Sequence, residues 1–384
     1  MNNYVKDFIL NPEIIFLNHG SFGATPRIVM ELYQKLQMEM ERQPVEFLGR
    51  KAPDLLRNSR QILANYLGTS CDNLVYVTNT TVGINIIAHS LDLRPNDEVL
   101  ATNQEYGALD RTWKFLAQKK GFTYINQIYS SPIHSEEELL SEFIKGLSDR
   151  TKVIYISHIT SPTAMIFPIQ KMIDCARQRN ILTIVDGAHA PGQLHINLND
   201  LDVDFYVGNL HKWLCAPKGS AFLYSNPRVQ HLIEPLVVSW GWQSDNPSSS
   251  QFVDYLEWQG TRDISAFLAV PAAIEYQQRR NWDQVRMECH SLASLTYDQI
   301  TQLTNLPPLY SNKPSWFSQM VALPLPDSIH PAVLKDRLYD EFQIEIPVIS
   351  WNGQTLIRAS FQIYNNISDV ECLVSALRSL LLIS

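Results

Sequence analysis

The chain has 384 residues, 45% of them hydrophobic and 18% charged, with a formal net charge of −8. That length predicts a large domain with a smaller companion, in a composition ordinary for a globular enzyme. The negative balance leaves no basic surface for nucleic acid and excludes such partners.

From Leu74 onward, short apolar runs alternate with segments of helical spacing. The candidate strands are Leu74–Thr78, Glu98–Thr102, Phe122–Ile128, Lys152–Ser157, Leu182–Asp186, Phe205–Gly208 and Ala221–Tyr224. Helical spacing between them, as over Ile169–Arg179, is the βαβ signature of a mainly parallel sheet covered on both faces. Such sheets collect ligands at the carboxyl ends of their strands. Pro227–Ser250 reads as a loop-like break, followed by helices from about Ile264 and over Asp283–Leu303. The C-terminal part reads as a small α+β unit: strand Phe317–Leu323, helix Ala332–Phe342, strand Leu356–Phe361 and helix Ser368–Leu382. The last helix is expected to open with a capping box of Ser368 and Glu371.

The strand ending in Asp186-Gly187-Ala188-His189 is followed one strand later by Gly208-Asn209-Leu210-His211-Lys212-Trp213. An acid and a lysine so placed suit pyridoxal phosphate: a carboxylate keeps the ring nitrogen protonated, and an amine forms the Schiff base. Gly187 and Ala188 are expected to leave room for a flat ring. Alone, Asp186 could simply cap a helix; beside Lys212 the cofactor reading takes precedence. Lys212 must shed its charge to act, since a free amine of pKa about 10.4 is protonated at neutral pH, and Leu210, Trp213 and Leu214 supply an apolar setting.

Thr78-Asn79-Thr80-Thr81-Val82-Gly83 follows the first strand and opens a helix. Its free amides and the hydroxyls of Thr80 and Thr81 suit a phosphate, with an ordinary N-cap as the plain alternative. Tyr106, after the second strand, presents an aromatic face at the same edge. Arg358 interrupts an apolar strand; a buried guanidinium would seek a substrate carboxylate, whereas one on an edge strand would face water.

Together these motifs resemble the class V aminotransferase family of fold-type I pyridoxal phosphate enzymes, in particular its isopenicillin N epimerase-like branch. Asn-Thr-Thr, Glu-Tyr-Gly-Ala, Asp-Gly-Ala-His, Asn-Leu-His-Lys-Trp-Leu and Trp-Gln-Gly-Thr-Arg-Asp occur in family order. The likeness runs from Phe16-Leu17-Asn18-His19-Gly20-Ser21-Phe22-Gly23 to the final helix. It implies an α/β fold with a seven-stranded large domain over 26–275, a small C-terminal domain over 276–384 and an N-terminal arm over 1–25. By resemblance, Lys212 carries the cofactor, Asp186 pairs with its ring nitrogen, His189 lies near its phenolic oxygen and Tyr106 stacks on it. Thr80, Thr81, Asn209 and His211 hold the phosphate, and Thr261 reaches over from a second subunit, which implies a homodimer with shared sites. Arg358 binds the substrate carboxylate, with Asn18 and His19 lining the entrance.

Two departures matter. Cysteine desulfurase relatives carry a nucleophilic cysteine shortly before the carboxylate-binding arginine, but here Pro347-Val348-Ile349-Ser350-Trp351-Asn352-Gly353-Gln354 contains none, so persulfide chemistry by that route is excluded. Ser161 stands where those enzymes usually place Asn. The expected reaction is at the α-carbon of an amino acid or amino-acid-like substrate. Epimerisation ranks first by resemblance, C–S lysis or transamination next, and a cofactor-binding protein without turnover is a third class.

Cys71, Cys175, Cys215, Cys289 and Cys372 are odd in number, widely spaced and free of CxxC pairs. That predicts reduced thiols in the cytoplasm and no metal site. The first residues lack a long apolar stretch and no run of about 18 apolar residues occurs, so neither a signal segment nor a membrane span is expected.

Overall fold

Successive residues of a strand point to opposite faces, and this chain uses that rule to feed two cores. In the computed structural model, which describes residues 4–129 and 132–381, seven strands form one sheet: β1 (Leu74–Val77), β2 (Glu98–Thr102), β3 (Thr123–Gln127), β4 (Thr151–Ser157), β5 (Leu182–Asp186), β6 (Phe205–Asn209) and β7 (Ala221–Ser225). Leu74, Tyr76, Leu100, Ile154, Ile156, Val185, Tyr206 and Phe222 pack on one side. Their alternates Val75, Val77, Val99, Val153, Tyr155, Ile184, Val207 and Leu223 pack on the other. Both faces are therefore dry, which is why these strands read as nearly continuous apolar runs.

The strand order is β1-β7-β6-β5-β4-β2-β3, with β7 antiparallel to both neighbours and the other six strands parallel. Each of the seven strands expected between Leu74 and Tyr224 lies within one residue of an observed one at either end, whereas the two expected further on, Phe317–Leu323 and Leu356–Phe361, are observed at Met320–Leu325 and Gln354–Ser360. The carboxyl ends of β1, β2, β4, β5 and β6 open on a common edge, as a parallel arrangement requires. Gly83 seats the helix Thr80–Ser90 on the sheet: a Cβ there would come within 2.5 Å of Val207 Cγ1.

A second sheet, all antiparallel, joins β8 (Met320–Leu325), β9 (Val348–Trp351) and β10 (Gln354–Ser360) in the order β9-β10-β8. Strand β9 is absent from the sequence expectations. Its turn is Asn352-Gly353, both at positive φ (49° and 77°), the Asn-Gly signature of a two-residue hairpin. Trp351 Nε1 donates to the Asn103 carbonyl at 3.0 Å, tying this sheet to the loop after β2. The leading segment joins it too: Ser360 N–H donates to Leu17 O at 2.9 Å.

The helical expectations need two corrections. The final helix spans Ile367–Leu380 and its capping box is Asn366 with Asp369, not Ser368 with Glu371, because the Asn366 side chain accepts the first free amides two residues earlier; Leu382 lies outside the described residues. The break over Pro227–Ser250 contains the 3₁₀ turn Pro227–Leu232 and leads into a helix, Gln251–Glu257, capped by Ser250.

Candidate active site

The edge formed by the strand ends holds a cleft of about 260 Å³. Its walls include Ser21, Phe22, Thr80, Thr81, Tyr106, Ser157, Ser161, Asp186, Ala188, His189, Asn209, His211 and Lys212. Eight of the site residues predicted from sequence thus share one space, although they come from four strand ends.

Asp186, the last residue of β5, is buried, with 3% of its surface exposed. Its Oδ1 accepts from the Ala188 N–H at 2.9 Å and its Oδ2 from the Tyr155 hydroxyl at 3.2 Å. Burial pushes its carboxyl up from the usual range, while the Ala188 amide and Lys212 pull it down. A buried anion held by two donors can serve as the fixed partner of a cationic ring nitrogen. Gly187 does not open the cleft as expected: a Cβ there would lie 2.1 Å from the Tyr206 ring, so its hydrogen makes room for Tyr206, while Ala188 faces the cleft.

Lys212 follows β6 among Leu210, Trp213 and Leu214, each wholly buried. Its Nζ lies 3.2 Å from His189 Nε2. Desolvation first, then the Arg358 charge, brings its pKa down to about 8, against the opposing pull of Asp186. The other nitrogen of His189, Nδ1, accepts from the indole N–H of Trp213 at 3.2 Å. Burial, reinforced by Lys212 and Arg358, holds the pKa of His189 well below the ordinary histidine value.

Across the cleft, Asn79 caps the helix Thr80–Ser90 by accepting from the Val82 N–H at 2.9 Å, so the cap is not one of the threonines. Thr80 N–H donates to Asn209 Oδ1 at 3.0 Å. The Thr80 hydroxyl is buried and has no partner, a donor aimed at nothing in the protein. That orphan donor, the half-buried Thr81 and a helix N-terminus together fit a phosphate group. His211 spends Nδ1 on the Ser220 carbonyl at 3.0 Å, and burial lowers its pKa to about 4. Tyr106 is 46% exposed on the cleft wall, an accessible aromatic face. The residues present therefore fit pyridoxal phosphate.

Arg358 sits on β10, the central strand of the small sheet, only 4% exposed and not facing water. It donates to the carbonyl of Ser161 and, at 3.2 and 3.4 Å, to the hydroxyls of Ser161 and Ser21. No carboxylate pairs with it among the described residues, and its buried Nε has no partner. A desolvated guanidinium so placed is suited to pair with an anion.

His19 and Asn18 differ from the expectation that they line the entrance. His19 is wholly buried beneath the lysine loop, bound to Tyr364 and to the Lys212 carbonyl. Asn18 bonds Glu345 and Ser21. Ser21 and Phe22 of the same turn reach the cleft instead. Thr261 is exposed and is not among the cleft-lining residues of its own chain. Sequence reading missed Ser157, whose hydroxyl donates to buried Glu105 at 2.6 Å, and Tyr155, which holds Asp186. Both lie within β4, where only the register beside β5 marks them.

No group of three or more His, Cys, Asp or Glu suited to a metal occurs among the described residues, and no helix there is long and apolar enough to cross a membrane. All five cysteines are unpaired, only Cys372 being exposed.

The sequence profile of class-V aminotransferases matches residues 23–373. The isopenicillin N epimerase of Amycolatopsis lactamdurans is 34% identical, over 97% of this chain and 96% of that protein. A probable chloroplastic L-cysteine desulfhydrase of Arabidopsis thaliana is 27% identical, over 96% of this chain and 83% of that protein. Among solved structures, a cysteine desulfurase from Thermococcus onnurineus NA1 superposes with a TM-score of 0.84 at 20% identity, over 98% of this chain and 96% of that one.

Proposed function

This chain belongs to the class-V aminotransferase family, and from that premise we propose that it inverts the α-carbon of an amino acid or amino-acid-like substrate. It is an enzyme, and its cofactor is pyridoxal phosphate; when bound, that group withdraws electrons from the substrate α-carbon and makes its proton labile. What carries the reading is that Lys212 and Asp186 line one cleft while Arg358, with no carboxylate partner among the described residues, is bonded to the cleft residues Ser161 and Ser21. The 34% identity to an isopenicillin N epimerase favours inversion among the possible outcomes.

In this reading the protein's residues divide the work. Thr80, Thr81, Asn209 and His211 bind the phosphate, and Asp186 keeps its charge against the ring nitrogen. His189 would bond the phenolic oxygen, and Tyr106 would offer its aromatic face to the ring. Arg358 clamps the substrate carboxylate with a charge-assisted pair. Lys212 anchors the cofactor and, once free, takes the α-proton on its own face. Inversion then needs a proton delivered to the opposite face. Thr261 contributes to the site of a second copy, so the working unit is a homodimer. The cytoplasm is the compartment that five unpaired thiols suit, and residues 1–25, 26–275 and 276–384 serve as arm, large domain and small domain.

A C–S lyase reading is favoured by one observation, the 27% identity to a desulfhydrase over 96% of this chain. Purified protein should absorb in the visible, and a panel of amino acids and amino-acid-like amines should then be scored for inverted product, keto acid and ammonia. Inverted product without ammonia supports epimerisation; ammonia with sulfide from cysteine would replace it with lysis.

A further inference from the structure

We infer that Trp213 is a positioning residue which, through His189, holds the free Lys212 as an uncharged amine. The argument is donor and acceptor bookkeeping. An indole nitrogen only donates, so the 3.2 Å contact from Trp213 Nε1 makes His189 Nδ1 an acceptor. A neutral imidazole has one nitrogen of each kind, and the proton of His189 must then sit on Nε2. That nitrogen lies 3.2 Å from Lys212 Nζ. An ammonium has no lone pair to accept with, so the contact is a hydrogen bond only when Lys212 is neutral.

The indole has little freedom to turn away. It is wholly buried, and its ring lies 5.0 Å from the ring of His19. The Trp213 carbonyl accepts from Gln277 Nε2 at 2.7 Å. The backbone of Gly192, at φ +94°, packs so close that a Cβ there would lie 2.2 Å from that carbonyl oxygen. The charged groups facing Lys212 are Asp186 from β5, which favours the ammonium, and Arg358 from β10, which opposes it. His211 adds to the field at His189. The lowered pKa of Lys212 agrees with the geometry.

The inference rests on the reading of Lys212 as the cofactor-bearing amine, and it supplies what that amine needs before it captures the cofactor and whenever substrate has released it. Trp213→Phe keeps an aromatic ring and removes the donor along with part of the ring volume, a packing change that the His189→Gln background separates out. The protein labelled with ¹⁵N-histidine, with cofactor and after its removal, should show His189 as the neutral Nε2–H tautomer, and Trp213→Phe should shift it toward Nδ1–H. In cofactor-free protein the midpoint for capture of pyridoxal phosphate against pH should rise by about one unit in Trp213→Phe, roughly tenfold slower capture at neutral pH. In a His189→Gln background, where no tautomer exists to set, Trp213→Phe should leave the midpoint in place.

An Nδ1–H tautomer in the wild type, a measurement that needs no variant, would overturn the proposal. So would an unmoved midpoint in Trp213→Phe, or an equal shift in the His189→Gln background, which would mean that Trp213 acts by packing. No substrate enters these measurements, so a wrong reaction assignment leaves them intact. Failure of wild-type protein to capture pyridoxal phosphate at any pH would overturn the site reading and this inference with it.

Discussion

His19 Nε2 lies 3.0 Å from the backbone carbonyl of Lys212, while His19 Nδ1 lies 2.9 Å from the hydroxyl of Tyr364. A carbonyl only accepts, so Nε2 carries the proton and Tyr364 donates to Nδ1. Gly23, at φ +71°, closes the same joint, since a Cβ there would lie 2.9 Å from Lys212 Cα. The leading segment therefore fixes the lysine loop from below. His19→Ala should leave the buried Tyr364 hydroxyl without its acceptor and the Lys212 carbonyl with only the Cys215 N–H, and lower the unfolding free energy by about 1–3 kcal/mol. His19→Gln, whose amide can donate to the same carbonyl, should recover much of it. Denaturant titration of both variants checks this, and equal losses would show that only ring packing matters.

The same histidine makes stability depend on pH. Burial brings its pKa down to about 3, and that of His158 to about 4, from an unfolded value near 6.5. Above pH 6.5 both states are neutral and these groups add no slope. Between about 6.5 and 3 to 4 the unfolded chain binds protons that the native state refuses, so stability falls as pH falls, by up to about 1.4 kcal/mol per unit for each histidine. Denaturant titrations across that window should show a shallower slope in His19→Gln than in the wild type. Parallel slopes would mean that His19 is already protonated in the native protein.

Lys212→Ala should abolish both turnover and the visible absorption of the lysine-bound cofactor, because no other amine has been placed in the cleft. Asp186→Ala should keep cofactor binding but cut turnover by orders of magnitude, since an unprotonated ring is a poor electron sink. Spectra and initial rates separate the two. Asp186→Ala activity within about tenfold of wild type, roughly 1.4 kcal/mol in barrier, would make Asp186 a structural residue.

How much of this was legible in the sequence depends on whether the signal is local. β5 and β6 declare themselves because both faces are buried and each carries apolar β-branched or aromatic residues, and Asp186 and Lys212 are conspicuous for ending or following such runs. β9 hides because three of its four residues are partly or fully exposed, although the Asn352-Gly353 turn beside it was readable. His19 was misplaced for a different reason. Its role is set by Tyr364, 345 residues away, and by Lys212, 193 residues away, and no local pattern distinguishes a polar turn that lines a cleft from one buried under it. The partnership of Trp213 with His189 is equally invisible, since it exists only once β5 and β6 lie side by side.

Thr261 should act across a subunit boundary. If it completes the site of a second copy, Lys212→Ala and Thr261→Arg are each inactive alone, yet a mixed dimer contains one site with both residues intact. Refolding the two together should restore up to about a quarter of wild-type activity, on random pairing of equal amounts with one sound site in half the dimers. Demonstrated subunit exchange with no recovered activity would return Thr261 to its own chain's surface.

Arg358 offers the sharpest test of substrate class. Its guanidinium is buried, bonded to Ser161 and Ser21 but to no acid among the described residues, and burial lowers its pKa to about 10, still charged at neutral pH. A carboxylate arriving there finds a cation already stripped of water, which is where a charge-assisted pair is strongest. Truncating one member of such a pair commonly costs about 2–5 kcal/mol. Arg358→Leu should therefore weaken binding of carboxylated amino acids by at least about tenfold, while simple amines lacking a carboxylate react with the enzyme as before and the cofactor spectrum stays unchanged. Binding titrations with matched amines and amino acids measure the difference. If both classes weaken equally, Arg358 serves to hold the Ser161 and Ser21 loops together, and the substrate carboxylate must be bound elsewhere in the cleft.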